Sequence, residues 1–87
     1  MKLVQFVTET CSKCAVVSHF LKQQGAKFDV IDAVKQKELA KKFQILSVPT
    51  TILLADDQTE LVRSSGVNPT ELLKIIHKFQ IGEMRNV

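Results

Sequence analysis

Residues 3–25 read LVQFVTETCSKCAVVSHFLKQQG and contain the first predicted strand and the first predicted helix. The first part, Leu3 to Thr8, is almost continuously apolar, which is typical of a central strand covered on both faces. Cys11 to Gln24 shows helical periodicity, with Thr10 as the expected N-cap and Gly25 as the expected end. At about 100° per residue, one arc of this helix carries four apolar side chains, Val16, Val17, Phe20 and Leu21. The sequence therefore places a pair of cysteines where a strand passes into a helix.

The rest of the chain adds three strands and two helices. They are predicted at Lys27–Asp32 (strand), Gln36–Phe43 (helix), Thr50–Ala55 and Glu60–Ser64 (strands) and from Asn68 to Gly82 (helix). Residues 56–59 are short enough to join the last two strands as an antiparallel hairpin. Asn68 is the expected N-cap of the last helix, with Pro69 at its first position and Glu71 at its third. The buried stripe of that helix is expected to contain Leu72, Ile76 and Phe79.

This βαβαββα order predicts an α/β fold with a four-stranded mixed sheet and helices on both faces. The first strand–helix–strand unit should be a right-handed parallel crossover, and the hairpin adds antiparallel strands to the same sheet. Helices must cover both faces because the first two strands, which we expect to be central, lack a polar face. We expect a single domain over residues 1–87, with a frayed tail at 83–87.

Length and composition exclude several classes of function. With 87 residues, 45% hydrophobic and 24% charged, the chain has the composition of an ordinary globular domain with one modest core. No apolar run approaches the roughly 20 residues of a membrane span. The net charge is only +3 and there is no Tyr or Trp to stack on bases, which argues against nucleic acid. Residues 1–7 are too short and too interrupted for a signal peptide. We therefore expect a cytoplasmic monomer without a membrane or nucleic-acid partner.

The two cysteines, Cys11 and Cys14, are the candidates for chemistry. In a reducing compartment a C-x-x-C pair is more often catalytic or metal-binding than structural, and its loop is too short to stabilise a fold. A helix N-terminus lowers the pKa of the Cys11 thiol; Lys13 adds to this effect, whereas Glu9 opposes it. The helical wheel places Cys14 beside the apolar arc and Cys11 toward solvent. Cys11 is therefore the expected attacking thiolate and Cys14 the resolving thiol, with their disulfide as redox centre and no metal or organic cofactor.

Three other interpretations of these residues stay open. Soft thiolates select Cu(I), and copper-carrier domains also place C-x-x-C between a first strand and a first helix. Glu9, where such domains usually carry Met, and the predicted βαβαββα order oppose this interpretation. A non-catalytic binding module is the second alternative, because a fold alone does not confer activity. Zinc is the third, but a structural site needs four ligands and His19 and His77 are expected at the surface.

The second predicted helix has a lysine-rich face. Its lysines, Lys35, Lys37, Lys41 and Lys42, are interpreted either as a surface that guides an acidic partner or as a solvated face.

Two motifs carry a family resemblance. Cys11-Ser12-Lys13-Cys14 follows the first strand, and a segment over residues 43–54 contains Val48-Pro49-Thr50 at the start of the hairpin. With Gly66 before the last helix, they resemble the thioredoxin superfamily over nearly the whole chain. The size is similar to that of a glutaredoxin, since the chain has no counterpart of the extra N-terminal strand and helix of full-length thioredoxins. The resemblance implies a thioredoxin-like fold.

The resemblance also implies an activity and a substrate site. The activity would be that of a thiol–disulfide oxidoreductase, a disulfide reductase acting on protein or small-molecule disulfides and recycled by an unidentified reductase or thiol. Pro49 would be cis and face the cysteines, and Val48 would offer its backbone groups to an extended substrate segment. A strand start also suits Pro49 because proline cannot donate a ladder hydrogen bond. The full set of substrate-binding residues would be Thr10, Ser12, Lys13, Val48, Pro49, Ser65 and Gly66.

The sequence departs from the family pattern at several positions. Ser12-Lys13 replaces the usual Gly-Pro or Pro-Tyr between the cysteines, and Thr10 replaces a tryptophan. Gln5 stands where typical thioredoxins carry a buried acid that assists proton transfer at the resolving cysteine, so water or Glu9 would take that proton. Ser65-Gly66 replaces the paired glycines with which glutaredoxins bind glutathione.

Overall fold

The computed structural model of the protein describes residues 1–85. Along the chain it contains β1 (Lys2–Val7), α1 (Ser12–Gln23), β2 (Asp29–Asp32), α2 (Lys37–Lys42), β3 (Thr50–Leu54), β4 (Glu60–Ser65) and α3 (Pro69–Arg85). The predicted βαβαββα order is confirmed, and it is not the βαββαβ order of copper-carrier domains. Over the described residues, none of the helices combines the length and the apolar character that a membrane crossing requires.

The four strands form one mixed sheet in the order β2-β1-β3-β4. β1 pairs with β2 in parallel and with β3 antiparallel, and β4 pairs antiparallel with β3. Phe6 of β1 therefore lies between Ile31 of β2 and Thr50 of β3. This register brings the C-terminal end of β1, which leads to the cysteines, next to the start of β3, which follows Pro49.

Apolar side chains cover both faces of the sheet, because successive residues of a strand point to opposite sides. One core lies under α1 and α3 and contains Leu3, Val17, Leu21, Leu53, Leu72, Ile75, Ile76 and Phe79. The other lies on the α2 side and contains Val4, Phe6, Phe43, Ile52 and Leu54. The predicted α/β fold with helices on both faces is confirmed.

Two predicted burial patterns are wrong. Val16 is 53% exposed, because α1 contacts the sheet through a narrower stripe formed by Cys14, Val17 and Leu21. β2 is an edge strand rather than a central one, and its Val30 is 55% exposed. The apolar composition of β2 alone could not reveal its place at the edge of the sheet.

The sequence predicts that the last helix ends at Gly82, and this prediction is wrong. α3 continues to Arg85, and a Cβ atom at position 82 would lie 2.5 Å from the sulfur of Met1. The glycine therefore permits a close approach between α3 and the N-terminus. The expected frayed tail is thus helical as far as Arg85, and residues 86–87 lie outside the described part of the chain.

Candidate active site

The N-cap of α1 is Cys11 and not Thr10, the residue predicted from the sequence. The backbone of Cys11 is extended, with φ −91° and ψ 100°, and its Sγ accepts a hydrogen bond from the backbone N–H of Cys14 at 3.1 Å. A sulfur thus does what a Ser, Thr, Asp or Asn oxygen usually does at this position. The cap places the sulfur against the unpaired N–H groups of the first helical turn, which favour negative charge.

The two cysteines form a disulfide, with their Cα atoms 5.4 Å apart. Cys14 is only 5% exposed and lies on the buried stripe of α1, whereas Cys11 is half-buried. Of the two residues, Cys11 is therefore the more exposed, in the direction that the helical wheel predicts.

A shallow cleft of about 320 Å³ opens beside Cys11. Its lining consists of Cys11 and five other residues, Thr8, Thr10, Ser12, Lys13 and Val48. The structure therefore brings four of the predicted substrate-binding residues next to Cys11: Thr10, Ser12, Lys13 and Val48. Sequence reasoning missed Thr8, although its position at the end of the first strand was a usable signal.

The remaining three predicted site residues, Pro49, Ser65 and Gly66, are not among the residues that line this cleft. The Val48–Pro49 peptide bond is cis, as predicted, and Pro49 is buried. The N–H of Gly66 donates to the carbonyl oxygen of Pro49 at 2.8 Å, and Ser65 pairs with Thr50 in the sheet. Ser65 and Gly66 thus support the proline loop rather than lining the cleft.

A hydroxyl that the sequence analysis did not single out also holds this loop. Thr50 Oγ1 donates to the carbonyl oxygen of Ser47 at 2.7 Å, across the cis proline. Thr50 is 1% exposed, so its hydroxyl is satisfied inside the protein. The loop that presents Val48 is therefore held by two hydrogen bonds, one from Thr50 at the start of β3 and one from Gly66, which follows β4.

Gln5 lies directly beneath the cysteine pair and is fully buried. Its Nε2 donates to the carbonyl oxygen of Cys14 at 2.9 Å, and its Oε1 accepts from the hydroxyl of Ser18 at 2.6 Å. The sequence identified Gln5 only as a departure from a pattern, and it missed Ser18. The spacing of four residues between Cys14 and Ser18 was the available signal, because it places both on one helix face.

The charges near the cleft are partly paired. Glu9, expected to oppose a thiolate at Cys11, lies 3.4 Å from Lys35 Nζ, so a cation offsets its charge. Lys42 Nζ lies 5.6 Å from the centre of the Phe43 ring. Two of the four lysines on the lysine-rich face, Lys35 and Lys42, thus contact other described side chains. Lys37 and Lys41 border a separate groove of about 500 Å³ next to Leu46, which is 97% exposed.

The Glu60–Arg63 ion pair supports the far side of the sheet. Arg63 donates to both carboxylate oxygens of Glu60 and to the carbonyl oxygen of Phe43, which ends α2. The hydrogen bonds and charge of Arg63 lower the pKa of Glu60, and Glu60 in turn raises the pKa of Arg63. The pair therefore fixes the end of α2 against β4.

His19 and His77 are both exposed, as expected from their positions on α1 and α3. Within the described part of the chain, no three His, Cys, Asp or Glu side chains come together as candidate metal ligands.

Comparison with known proteins agrees with this geometry. A family model described as thioredoxin matches residues 1–78. The SPbeta prophage-derived thioredoxin-like protein YosR of Bacillus subtilis (strain 168) is 34% identical over 80 residues, covering 92% of this chain and 100% of that protein. Mitochondrial thioredoxin 3 of Saccharomyces cerevisiae, in its oxidized form, superposes with a TM-score of 0.76 at 25% identity, over 87% of this chain and 76% of that one. Thioredoxin 1 of Thermosipho africanus TCF52B shares the fold over 100% of both chains, with a TM-score of 0.71 at 23% identity.

Proposed function

The chain belongs to the thioredoxin family, and from that premise we propose that it reduces disulfide bonds in proteins or small molecules through Cys11 and Cys14. Family membership and the Cys11–Cys14 disulfide support thiol–disulfide oxidoreductase activity in general. The finer part of the proposal is the order of the two cysteines and the direction of electron transfer. One observation carries the order of the cysteines: Cys11 is the more exposed of the two residues, its sulfur caps α1, and it lines the cleft beside Val48.

In the first step the Cys11 thiolate attacks one sulfur of a substrate disulfide. A bond forms between Cys11 Sγ and that sulfur, the substrate S–S bond breaks, and the departing thiolate takes a proton from water. The thiolate, not the thiol, is the nucleophile in such exchange. The N–H of Cys14, 3.1 Å from Cys11 Sγ, and the positive end of α1 favour the ionised sulfur and support a lowered pKa for Cys11.

In the second step Cys14 resolves the mixed disulfide. Cys14 loses its proton to water and its sulfur bonds to Cys11 Sγ. The bond between Cys11 and the substrate breaks, and the second substrate thiolate leaves and takes a proton from water. The substrate has then gained two electrons and the protein holds a disulfide. A Cα separation of 5.4 Å lies within the usual range for a disulfide, so the backbone already has the geometry this step requires.

Substrate binding in this proposal uses the cleft and the proline loop. Thr10, Ser12 and Lys13 border the cleft on the cysteine side, and Val48 borders it on the other side. An extended segment of the substrate would lie along Val48 and pair with its backbone groups. Thr8 and Thr10 also line a neighbouring cleft of about 250 Å³ with Asp32, Val34 and Lys35, which offers room for residues flanking the substrate cysteine.

We further propose that the protein acts as a monomer in the cytoplasm, where the thiol pool favours substrate reduction. Its partners would be disulfide-containing proteins and a donor of electrons, either a reductase or a small thiol. No step of this proposal uses a metal or an organic cofactor.

The test is the reduction of insulin disulfides by dithiothreitol, followed by turbidity. We expect the wild-type protein to accelerate the reaction and the Cys11→Ser variant to have no effect beyond buffer. Val16→Ser, at an exposed position of α1 outside the cleft, keeps both sulfurs. It is the matched control and should retain most of the activity. A wild-type rate equal to that of Cys11→Ser, with insulin and with a small aromatic disulfide, would contradict the proposal.

A further inference from the structure

The buried amide of Gln5 joins the sheet to the helix that carries both sulfurs. Gln5 is in the middle of β1, and its two hydrogen bonds go to Cys14 and Ser18, one helical turn apart on α1. It is fully buried, so neither bond competes with bulk water. Since Cys14 is the resolving cysteine of the proposed function, Gln5 touches the residue on which the second step depends.

The hydrogen bonds fix the orientation of this amide. Reversing it would bring Oε1 against the carbonyl oxygen of Cys14, so that two acceptors would face each other. The cost of an unsatisfied buried polar group holds Nε2 toward Cys14 and Oε1 toward Ser18. The first turns of α1 are therefore held at a fixed distance from β1 by a neutral side chain.

Gln5 is also part of a buried polar row across the sheet. It lies opposite Thr51 in β3, and Thr51 lies opposite Ser64 in β4; all three residues are at most 2% exposed. None of the three has an ionisable side chain. Among the described residues, the hydroxyl of Thr51 is buried without a hydrogen-bond partner, while Ser64 donates to Glu71. Within this row of three residues, only Gln5 forms hydrogen bonds to α1. Thr51 is therefore a matched control, since it is equally buried but does not bond to the helix.

We propose that Gln5 is a positioning residue for the resolving step: its amide holds the Cys14 turn so that Cys14 meets the mixed disulfide on Cys11. This inference rests on the proposed function and concerns only its second step. The amide acts through hydrogen bonds to Cys14 and Ser18. Removing it deletes neither the Cys14 N–H nor the Cys11 Sγ that form the cap, so the first step should change less than the second. The proton of Cys14 is released to water in this account.

The two steps can be observed separately with a chromogenic aromatic disulfide that releases one coloured thiolate at each step. The first release accompanies formation of the Cys11 mixed disulfide, and its rate rises with reagent concentration. The second accompanies formation of the Cys11–Cys14 disulfide, and its rate is independent of reagent concentration. At stoichiometric reagent, stopped-flow absorbance therefore gives a bimolecular and a unimolecular phase from one trace.

Gln5→Met keeps a similar length but removes both hydrogen bonds. We expect it to slow the second phase by about 3- to 10-fold, the effect of losing hydrogen bonds of ordinary strength, and to change the first phase by a clearly smaller factor. Ser18→Ala removes one of the two bonds and should slow the second phase by a smaller factor. Thr51→Val, in the same buried row, should change neither phase.

Several results would overturn the inference. They are an unchanged second phase in both Gln5→Met and Ser18→Ala, an equal slowing of both phases in these variants, or a Thr51→Val variant as slow in the second phase as Gln5→Met. If Gln5→Met does not fold, the rate of the second phase is compared between Ser18→Ala and Thr51→Val. Equal rates in these two variants would then overturn the inference. A wild-type trace without a Cys11-dependent first phase would remove the proposed function, and this inference with it. An intact first phase with an unaltered second phase in the variants would remove this inference alone.

Discussion

The N–H of Gly66 donates to the carbonyl oxygen of Pro49 at 2.8 Å, so the residue after β4 holds the loop that faces Cys11. Gly66 has a φ of +76°, a conformation that glycine adopts without strain and other residues adopt with difficulty. The position therefore combines a backbone requirement with a contact to the candidate site. The two effects can be separated, because Gly25 has a similar φ of +72° but lies at the end of α1.

Gly66→Ala and Gly25→Ala should lose similar amounts of stability, about 1 kcal/mol each, because a Cβ atom at either position meets no neighbour and only the backbone is strained. For a domain of this size, that loss lowers Tm by about 4–8 °C. Only Gly66→Ala should also lower kcat/KM for disulfide reduction, by about 3-fold, since it disturbs the hydrogen bond to Pro49. Thermal unfolding and insulin reduction measure the two effects. Equal activity losses in the two variants would show that the contact to Pro49 has no specific role.

Replacing the resolving cysteine should trap the reaction half-way. In Cys14→Ser, the mixed disulfide between Cys11 and a substrate has no internal thiol to break it. Mass spectrometry of the variant after reaction with a disulfide-bonded peptide should therefore find a covalent 1:1 adduct on Cys11 that dithiothreitol removes. Cys11→Ser is the control and should form little adduct, because Cys14 is buried. Adducts of equal yield in the two variants would contradict the assigned order of attack.

The Glu60–Arg63 pair should make stability depend on pH in the acid range. Arg63 holds the pKa of Glu60 below its ordinary value of 4.5, so the ionised carboxylate stabilises the folded state. This contribution is present at pH values above the ordinary one and is lost as the pH falls through the lowered pKa of the folded protein. Glu60→Gln should thus be less stable than wild type at neutral pH, by up to about 1 kcal/mol, and approach it in acid.

Equilibrium urea unfolding at neutral and acid pH measures this difference. Glu38→Gln, on exposed α2, is the matched control, because Glu38 forms no ion pair among the described residues. It should stay close to wild type at both pH values. A stability difference for Glu60→Gln that does not shrink in acid would show that the charge of Glu60 is not its cause.

Local rules predicted the features that depend on a few neighbouring residues. Asn68 caps α3 by accepting from the N–H of Glu71 at 3.2 Å, as its position before Pro69 indicated. The carboxylate of Glu71, at the third position of the helix, accepts a hydrogen bond from the hydroxyl of Ser64 in β4. The cap was therefore readable from the sequence, whereas the partner of Glu71 depends on how α3 packs on the sheet.

Tertiary packing also explains what the sequence could not predict at the site. Gln5 was recognised as unusual, but its bonds to Cys14 and Ser18 depend on the docking of α1 against β1. The N-cap was placed at Thr10 because capping preferences concern oxygen-bearing side chains, yet the sulfur of Cys11 accepts the bond. The two sequence motifs thus identify the candidate site residues. The hydrogen bonds that support these residues depend on how the helices and strands pack, which the motifs do not contain.

The proposed mechanism depends most on the ionisation and accessibility of the Cys11 sulfur. The direct measurement is the pH dependence of iodoacetamide alkylation, with Cys11 alone in Cys14→Ser and Cys14 alone in Cys11→Ser. For Cys11 the account predicts fast labelling with a midpoint clearly below the ordinary thiol pKa of about 8.5, and much slower labelling of Cys14 at every pH. A midpoint for Cys11 at or above the ordinary thiol value, or equally fast labelling of the two cysteines, would contradict it.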